Sequence, residues 1–256
     1  MLPRRTFLSG LLASTLVAAE SPDPRQQAAK RGRDFLAGLL DPELGLLPEF
    51  SGAKTYWLSH DNYLAAKVLA TSHPEISRTL TASLQREGMA KTDGKTEMFF
   101  GPVQGVLPFR HFHLADVRRI GEKLIRTEVA TDRPNEGWQS YADLLFLGSI
   151  AESNPTAARQ HWEKAMKLWD GRGFADVVFP ERKIYATYKL ALGILAARRL
   201  MPPQNVPAAM IERLLALQAD SGGWITDYNA EGKRIGLANV ETSALAILAL
   251  EALPPA

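Results

Sequence analysis

Four stretches of this chain share one layout, and that layout limits the folds open to it. Asp61-Asn62-Tyr63-Leu64-Ala65-Ala66, Ala142-Asp143-Leu144-Leu145-Phe146-Leu147, Thr187-Tyr188-Lys189-Leu190-Ala191-Leu192 and Glu241-Thr242-Ser243-Ala244-Leu245-Ala246 each place polar groups ahead of a run of small and large apolar residues. A helix that is apolar nearly all round has to be buried nearly all round. Each stretch therefore reads as an inner helix with a polar starting end.

Helical periodicity runs through most of the remaining chain. A first helix is predicted from Arg25 to Leu40, ended by Asp41-Pro42. Antiparallel pairs follow at Ser59 to Ala70 with Pro74 to Arg86, and at Tyr141 to Glu152 with Pro155 to Trp169. In both pairs a proline opens the second member, where its missing N–H costs nothing. Ile184 to Leu200, Val206 to Leu217 and Asn239 to Leu253 complete the series. Between the second and third units, residues 91–132 have another texture, with Gly and Pro and with β-type composition at Glu97 to Phe100, Phe109 to Leu114 and Leu124 to Val129. The expected fold class is mainly α: helical hairpins of α/α-toroid type in one domain, residues 20–256, with a small strand-containing insertion at 91–132.

Near the C-terminus, Gln218-Ala219-Asp220-Ser221-Gly222-Gly223-Trp224 is followed by Asn239-Val240-Glu241-Thr242-Ser243-Ala244. This resembles the Gln-x-x-x-Gly-x-Trp repeat of the terpenoid cyclase and prenyltransferase toroid superfamily, which relates also to six-hairpin toroids. Gly222 and Gly223 permit a tight turn there, and Trp224 can wedge adjacent hairpins. Tyr56-Trp57-Leu58-Ser59-His60-Asp61-Asn62 and Tyr141-Ala142-Asp143-Leu144-Leu145 also look like uncharacterised helical proteins of bacteria and archaea, a likeness that brings no activity with it. The resemblance implies architecture, not terpenoid chemistry: the chain lacks the Asp-x-Asp-Asp acid cluster and has no Cys to ligate a prenyltransferase zinc.

Reactive side chains gather at the expected inner-helix starts. Asp61, Asp143 and Glu241 occupy equivalent or adjacent positions, so they are candidates to converge on one cavity as the carboxyl groups that glycoside hydrolysis requires. His60 beside Asp61 offers a base with its orienting partner, as a lyase would need. Trp57, Asn62, Trp138, Tyr141, Tyr185, Tyr188 and Trp224 lie beside those groups in sequence and are the expected sugar-binding set. The competing reading is that Asp61 and Asp143 cap their helices, as Ser59 and Asn239 are expected to. No metal and no cofactor are expected; the nearest approach to a ligand set is His111 and His113 with Asp116.

Residues 1–19 carry Arg4-Arg5-Thr6-Phe7-Leu8, an apolar run to Ala19, and small residues at Val17, Ala18 and Ala19. That order predicts a removable twin-arginine export signal, too short for a permanent span, and a periplasmic or secreted product. Without residues 1–19, which hold two arginines and no acidic residue, basic and acidic groups balance at 28 each. Such a balance gives no footprint for nucleic acid. Zero cysteines exclude disulfides and thiolate chemistry. The expected partner is a small molecule or glycan in a central cleft, bound or cleaved by a hydrolase or lyase. Two alternatives stand beside it, a noncatalytic binding module and a cyclase-like protein for apolar ligands.

Overall fold

The computed structural model describes residues 23–89, 95–103, 105–107 and 109–255. The expected leader and its cleavage site lie outside them. Helices form at Pro24–Gly38 (α1), Ser59–Leu69 (α2), Pro74–Arg86 (α3), Ala142–Ala151 (α4), Pro155–Met166 (α5), Phe179–Arg182 (α6), Thr187–Arg199 (α7), Ala208–Ala216 (α8) and Val240–Glu251 (α9). Their starts follow local chemistry. Asp23 and Asn154 accept hydrogen bonds from first-turn amides ahead of Pro24 and Pro155, and Asn239 Oδ1 accepts from Thr242 N at 2.9 Å. Ser59 does not cap α2, against expectation; Leu58 holds that position and the Ser59 hydroxyl pairs with Thr127 Oγ1 at 2.8 Å.

Four helices pack side by side in the order α2, α9, α7, α4, and each is backed by an outer partner: α3, α1, α8 and α5 respectively. The inner members are buried along nearly their whole length, α7 without a break from Lys189 to Ala197. The outer members bury only a stripe, such as Leu80, Ser83 and Leu84 of α3. Alanines on the inner helices, among them Ala65, Ala191, Ala196, Ala244 and Ala246, let the backbones approach closely. The row is open: its end members α2 and α4 share no substantial contact.

Strand structure fills that gap. Tyr56–Leu58 (β1), Arg110–Ile120 (β2) and Lys123–Pro134 (β3) form one sheet in the order β1-β3-β2, with β1 parallel to β3 and Trp57 opposite Ile125. Strand β3 packs on α2, and a short 3₁₀ turn at Glu97–Phe99 packs on α4. Arg199 of α7 holds this turn by donating to the carbonyls of Met98 and Phe99. A second antiparallel sheet joins Tyr185–Ala186 (β4), Ile225–Tyr228 (β5) and Arg234–Ala238 (β6).

The mainly α toroid expected from sequence is therefore corrected to a mixed α/β fold. Two causes account for it. The insertion is a long two-stranded ribbon that continues past the expected strands to Ile120 and Pro134, while Glu97 to Phe100 is a turn and not a strand. The second sheet is made of strands two to five residues long that bury no continuous face, so they leave no period-2 signal. Among the described residues, no helix is long and apolar enough to cross a membrane.

Candidate functional site

The polar ends of the inner helices meet in the space between α2, α4, α7 and α9. A cavity of about 260 Å³ there is lined by His60, Asp143, Tyr188 and Glu241 from the four helix starts, with Lys95, Thr96 and Glu128 contributed by the strand-containing segment. Its apolar wall comprises Leu64, Leu144, Leu147, Leu192, Leu245 and Phe99. A wider cavity of about 450 Å³ under the β2–β3 ribbon adjoins it and shares Lys95, Leu144 and Leu147.

Two groups of ionisable side chains face this space. Tyr188 donates its hydroxyl to Asp143 Oδ2 at 2.8 Å, and Lys189 Nζ stands 4.0 Å from Asp143 Oδ1. Lys189 is bound more closely to Asp176, whose carboxylate also accepts from Ala142 N at 3.2 Å and so caps α4. Across the cavity, His60 Nε2 lies 3.1 Å from Asp61 Oδ1 and His60 Nδ1 lies 3.9 Å from Glu128 Oε2. Lys95 Nζ binds both oxygens of Glu128, at 2.9 and 2.8 Å. Neither Asp61 nor Asp143 caps its helix: among the described residues, both Asp61 oxygens and Asp143 Oδ1 are buried without any hydrogen bond.

Burial dominates the electrostatics. It pushes the Asp61 carboxyl up to about 7, with nearby His60 opposing and Glu241, Glu49 and Glu128 adding to the rise. Burial also raises Glu49, which feels His60 and Glu241. Tyr188 is held well above its ordinary range by burial and then by the charge and hydrogen bond of Asp143, with Glu241 a further cause. The site thus holds a protonated phenol and, behind His60, a carboxyl group whose burial shifts its titration toward neutral pH among other carboxylates.

The structure distributes the sequence-derived set unevenly. His60, Asp143, Glu241 and Tyr188 line one cavity, and Asp61 lies directly behind His60 and Glu241. Asn62 is fully buried and clamps backbone: it donates to the carbonyls of Leu47 and Leu58 and accepts from Leu47 N. Trp57 fills a satellite core with Leu44, Leu46, Leu84, Met89 and Ile125. Trp138 packs edge-on between Phe109 and His161. Tyr185 stacks between Phe179 and Tyr228 and donates to Asp170, and Trp224 is buried with its indole N–H on Leu214 O. Tyr141 is half-buried and supplies the residue before α4. His111 and His113 are exposed on β2, while Asp116 pairs with Arg126 at 2.9 Å.

Lys95, Phe99, Glu128, Asp176 and Lys189 were missed by sequence reasoning. Of these, Lys189 carried a signal, since a lysine inside a continuously apolar helix demands a buried partner. Glu128 and Lys95 come from strand and turn segments with no motif. No family model matches the chain, and no curated protein matches it.

Proposed function

We propose that this chain cleaves a carbohydrate, as a hydrolase or lyase, in the cavity between α2, α4, α7 and α9. The observation that supports this reading is the Tyr188–Asp143 pair facing His60, Asp61 and Glu241 across one small cavity. Glycan cleavage requires a proton donor and an anionic partner close together in a partly dry site. Tyr188 retains its proton at neutral pH, and Asp143 is its acceptor. In a hydrolase step Tyr188 gives its proton to the leaving oxygen while a water, deprotonated by Glu241, forms the new bond to the sugar carbon; in a lyase step Asp143 takes the sugar's C–H proton as the C–O bond breaks and Tyr188 protonates the leaving oxygen. The leucine wall with Phe99 suits the C–H face of a sugar ring, and the ionisable floor suits its hydroxyl edge. Together with the adjoining space, the site reaches the range of small-molecule pockets, about 300–1,000 Å³.

A second reading, binding without turnover, is favoured by the scarcity of stacking rings, because Phe99 and Tyr188 are the aromatic residues of the inner cavity. A panel of glycans incubated with purified protein separates the two, scored for new reducing ends and unsaturated products and, in parallel, for binding. Cleavage that disappears in Asp143→Asn supports the proposal. Cleavage that survives Asp143→Asn refutes this site, and binding with no product supports the second reading.

The same proposal places the work outside the cytoplasm, with residues 1–19 read as a twin-arginine signal. Replacing Arg4 and Arg5 by lysine keeps the charge and removes the specific pair. Retention of that variant in the cytoplasm supports the twin-arginine route, whereas unchanged export indicates a generic signal.

A further inference from the structure

His60 and Asp61 open α2 and Glu241 opens α9, two helices that pack against each other. One donor atom from each of the three residues lies within 4.8 Å of the other two. His60 is 7% exposed and Asp61 1%, yet among the described residues both Asp61 oxygens and His60 Nδ1 find no hydrogen-bond partner. A carboxyl group without a hydrogen bond in that position is costly, and native interiors rarely leave one unless an ion or ligand completes it. The 3.1 Å approach of His60 Nε2 to Asp61 Oδ1 falls outside hydrogen-bonding geometry. It is close to the spacing of ligands that share a metal: with bonds of about 2.0 to 2.2 Å at tetrahedral angles, neighbouring ligand atoms stand about 3.3 to 3.6 Å apart.

The surrounding charge points the same way. His60 is ringed by Asp61, Glu241, Glu49 and Glu128, and the lysine near this group, Lys95, is bound to Glu128. We propose that His60, Asp61 and Glu241 hold a divalent cation of the Zn²⁺ or Mn²⁺ class, with the position toward the cavity left for water or substrate. One imidazole and two carboxylates form a mixed donor set that suits these ions, and three protein ligands leave a coordination site open. Half-buried Glu241 is the ligand with room to turn inward and close the set. The expectation from sequence was that no metal binds and that His111, His113 and Asp116 were the nearest ligand set; the proposed cation site joins the starts of α2 and α9 and uses none of those three. It stands whether or not the ligand is a carbohydrate.

Isothermal titration of the chelator-treated full chain with ZnCl₂ and MnCl₂, without sugar, tests the site. The expected result is a single ion per chain, with affinity falling by about 10-fold or more in Glu241→Gln and in His60→Gln. Because His60 is buried, circular dichroism accompanies each variant. Visible absorption of the Co²⁺-loaded wild type reads coordination without any substitution. Absence of ion uptake by the wild type, or equal uptake by folded Glu241→Gln, overturns the proposal. Glycan cleavage is scored separately: cleavage by a chain that takes up no ion refutes this site and leaves the carbohydrate reading intact, and ion uptake without cleavage does the reverse.

Discussion

Tyr188 donates to Asp143 Oδ2 at 2.8 Å, tying the first turn of α7 to the first turn of α4 above the cavity floor. Among the described residues, the other oxygen of that carboxylate, Oδ1, is buried without a hydrogen bond. Tyr188→Phe removes only the hydroxyl. If the pair transfers the proton in glycan cleavage, kcat falls by about 10²- to 10⁴-fold while KM changes little. Stability drops by about 1–3 kcal/mol, since Asp143 loses its donor. Steady-state kinetics with a thermal melt check both, and wild-type kcat in the variant removes Tyr188 from the chemistry.

Lys189 and Asp176 are 6% and 3% exposed and form an ion pair behind the site. Asp176 also accepts from Ala142 N and Val178 N, so the pair pins α7 to the start of α4. Lys189→Met strands a buried carboxylate and is expected to cost about 3–5 kcal/mol in urea unfolding. Adding Asp176→Asn removes that stranded charge, so the double variant should be more stable than Lys189→Met alone. A loss under about 1 kcal/mol for the single variant would place the pair with weak surface bridges.

The Asp170–Tyr185 bond sets opposite pH limits on stability. Burial raises the Asp170 carboxyl, but hydrogen bonds from Tyr185 and from the amides of Arg172 and Gly173 outweigh it, and the net shift is downward. Its contribution is full above the ordinary carboxyl range, near pH 4, and is lost as pH falls through the lower folded value. Tyr185 is raised to about 12 by burial and then by Asp170. Its contribution is full below about pH 10 and is lost as pH climbs toward 12. Urea unfolding of Asp170→Asn across pH should show a shallower acid slope than the wild type. An unchanged slope would assign acid sensitivity to other carboxyl groups.

The helices were legible where capping and burial agree. Pro74–Arg86 lies where the sequence places it, and Asn239 caps α9 as expected. Of the strands, Phe109 to Leu114 and Leu124 to Val129 fall on β2 and β3, but their full length was not legible, because β2 exposes most of both faces and β3 is fully buried only at Leu124 and Ile125, and β4 to β6 are too short to show alternation. Asp61, Asp143 and Glu241 could be singled out because each stands in the first turn of an otherwise apolar helix. Neighbouring aromatics misled: adjacency in sequence does not say which way a ring points, and Trp57, Trp138, Tyr185 and Trp224 all turn into core. Glu128 pairs with Lys95 across 33 residues, a distance no local pattern spans.

Gly222 offers the sharpest packing test. It sits at φ +96° in the turn between Gln218 and Trp224, and a methyl group there would meet the carbonyl oxygen of Arg31 in α1. The turn is tied to α1 by the Gln218 amide, which donates to Ala28 O at 2.8 Å and to Gly222 O at 2.7 Å and accepts from Arg31. Gly222→Ala therefore combines left-handed backbone strain with a clash against main chain that cannot step aside. Gly52, at φ +80° with nothing within 4 Å, provides the control, because Gly52→Ala incurs backbone strain alone. That strain costs about 1 kcal/mol or slightly more, whereas Gly222→Ala should cost about 3 kcal/mol or more. Equal losses for the two variants in urea unfolding would show that the turn is not pressed onto α1.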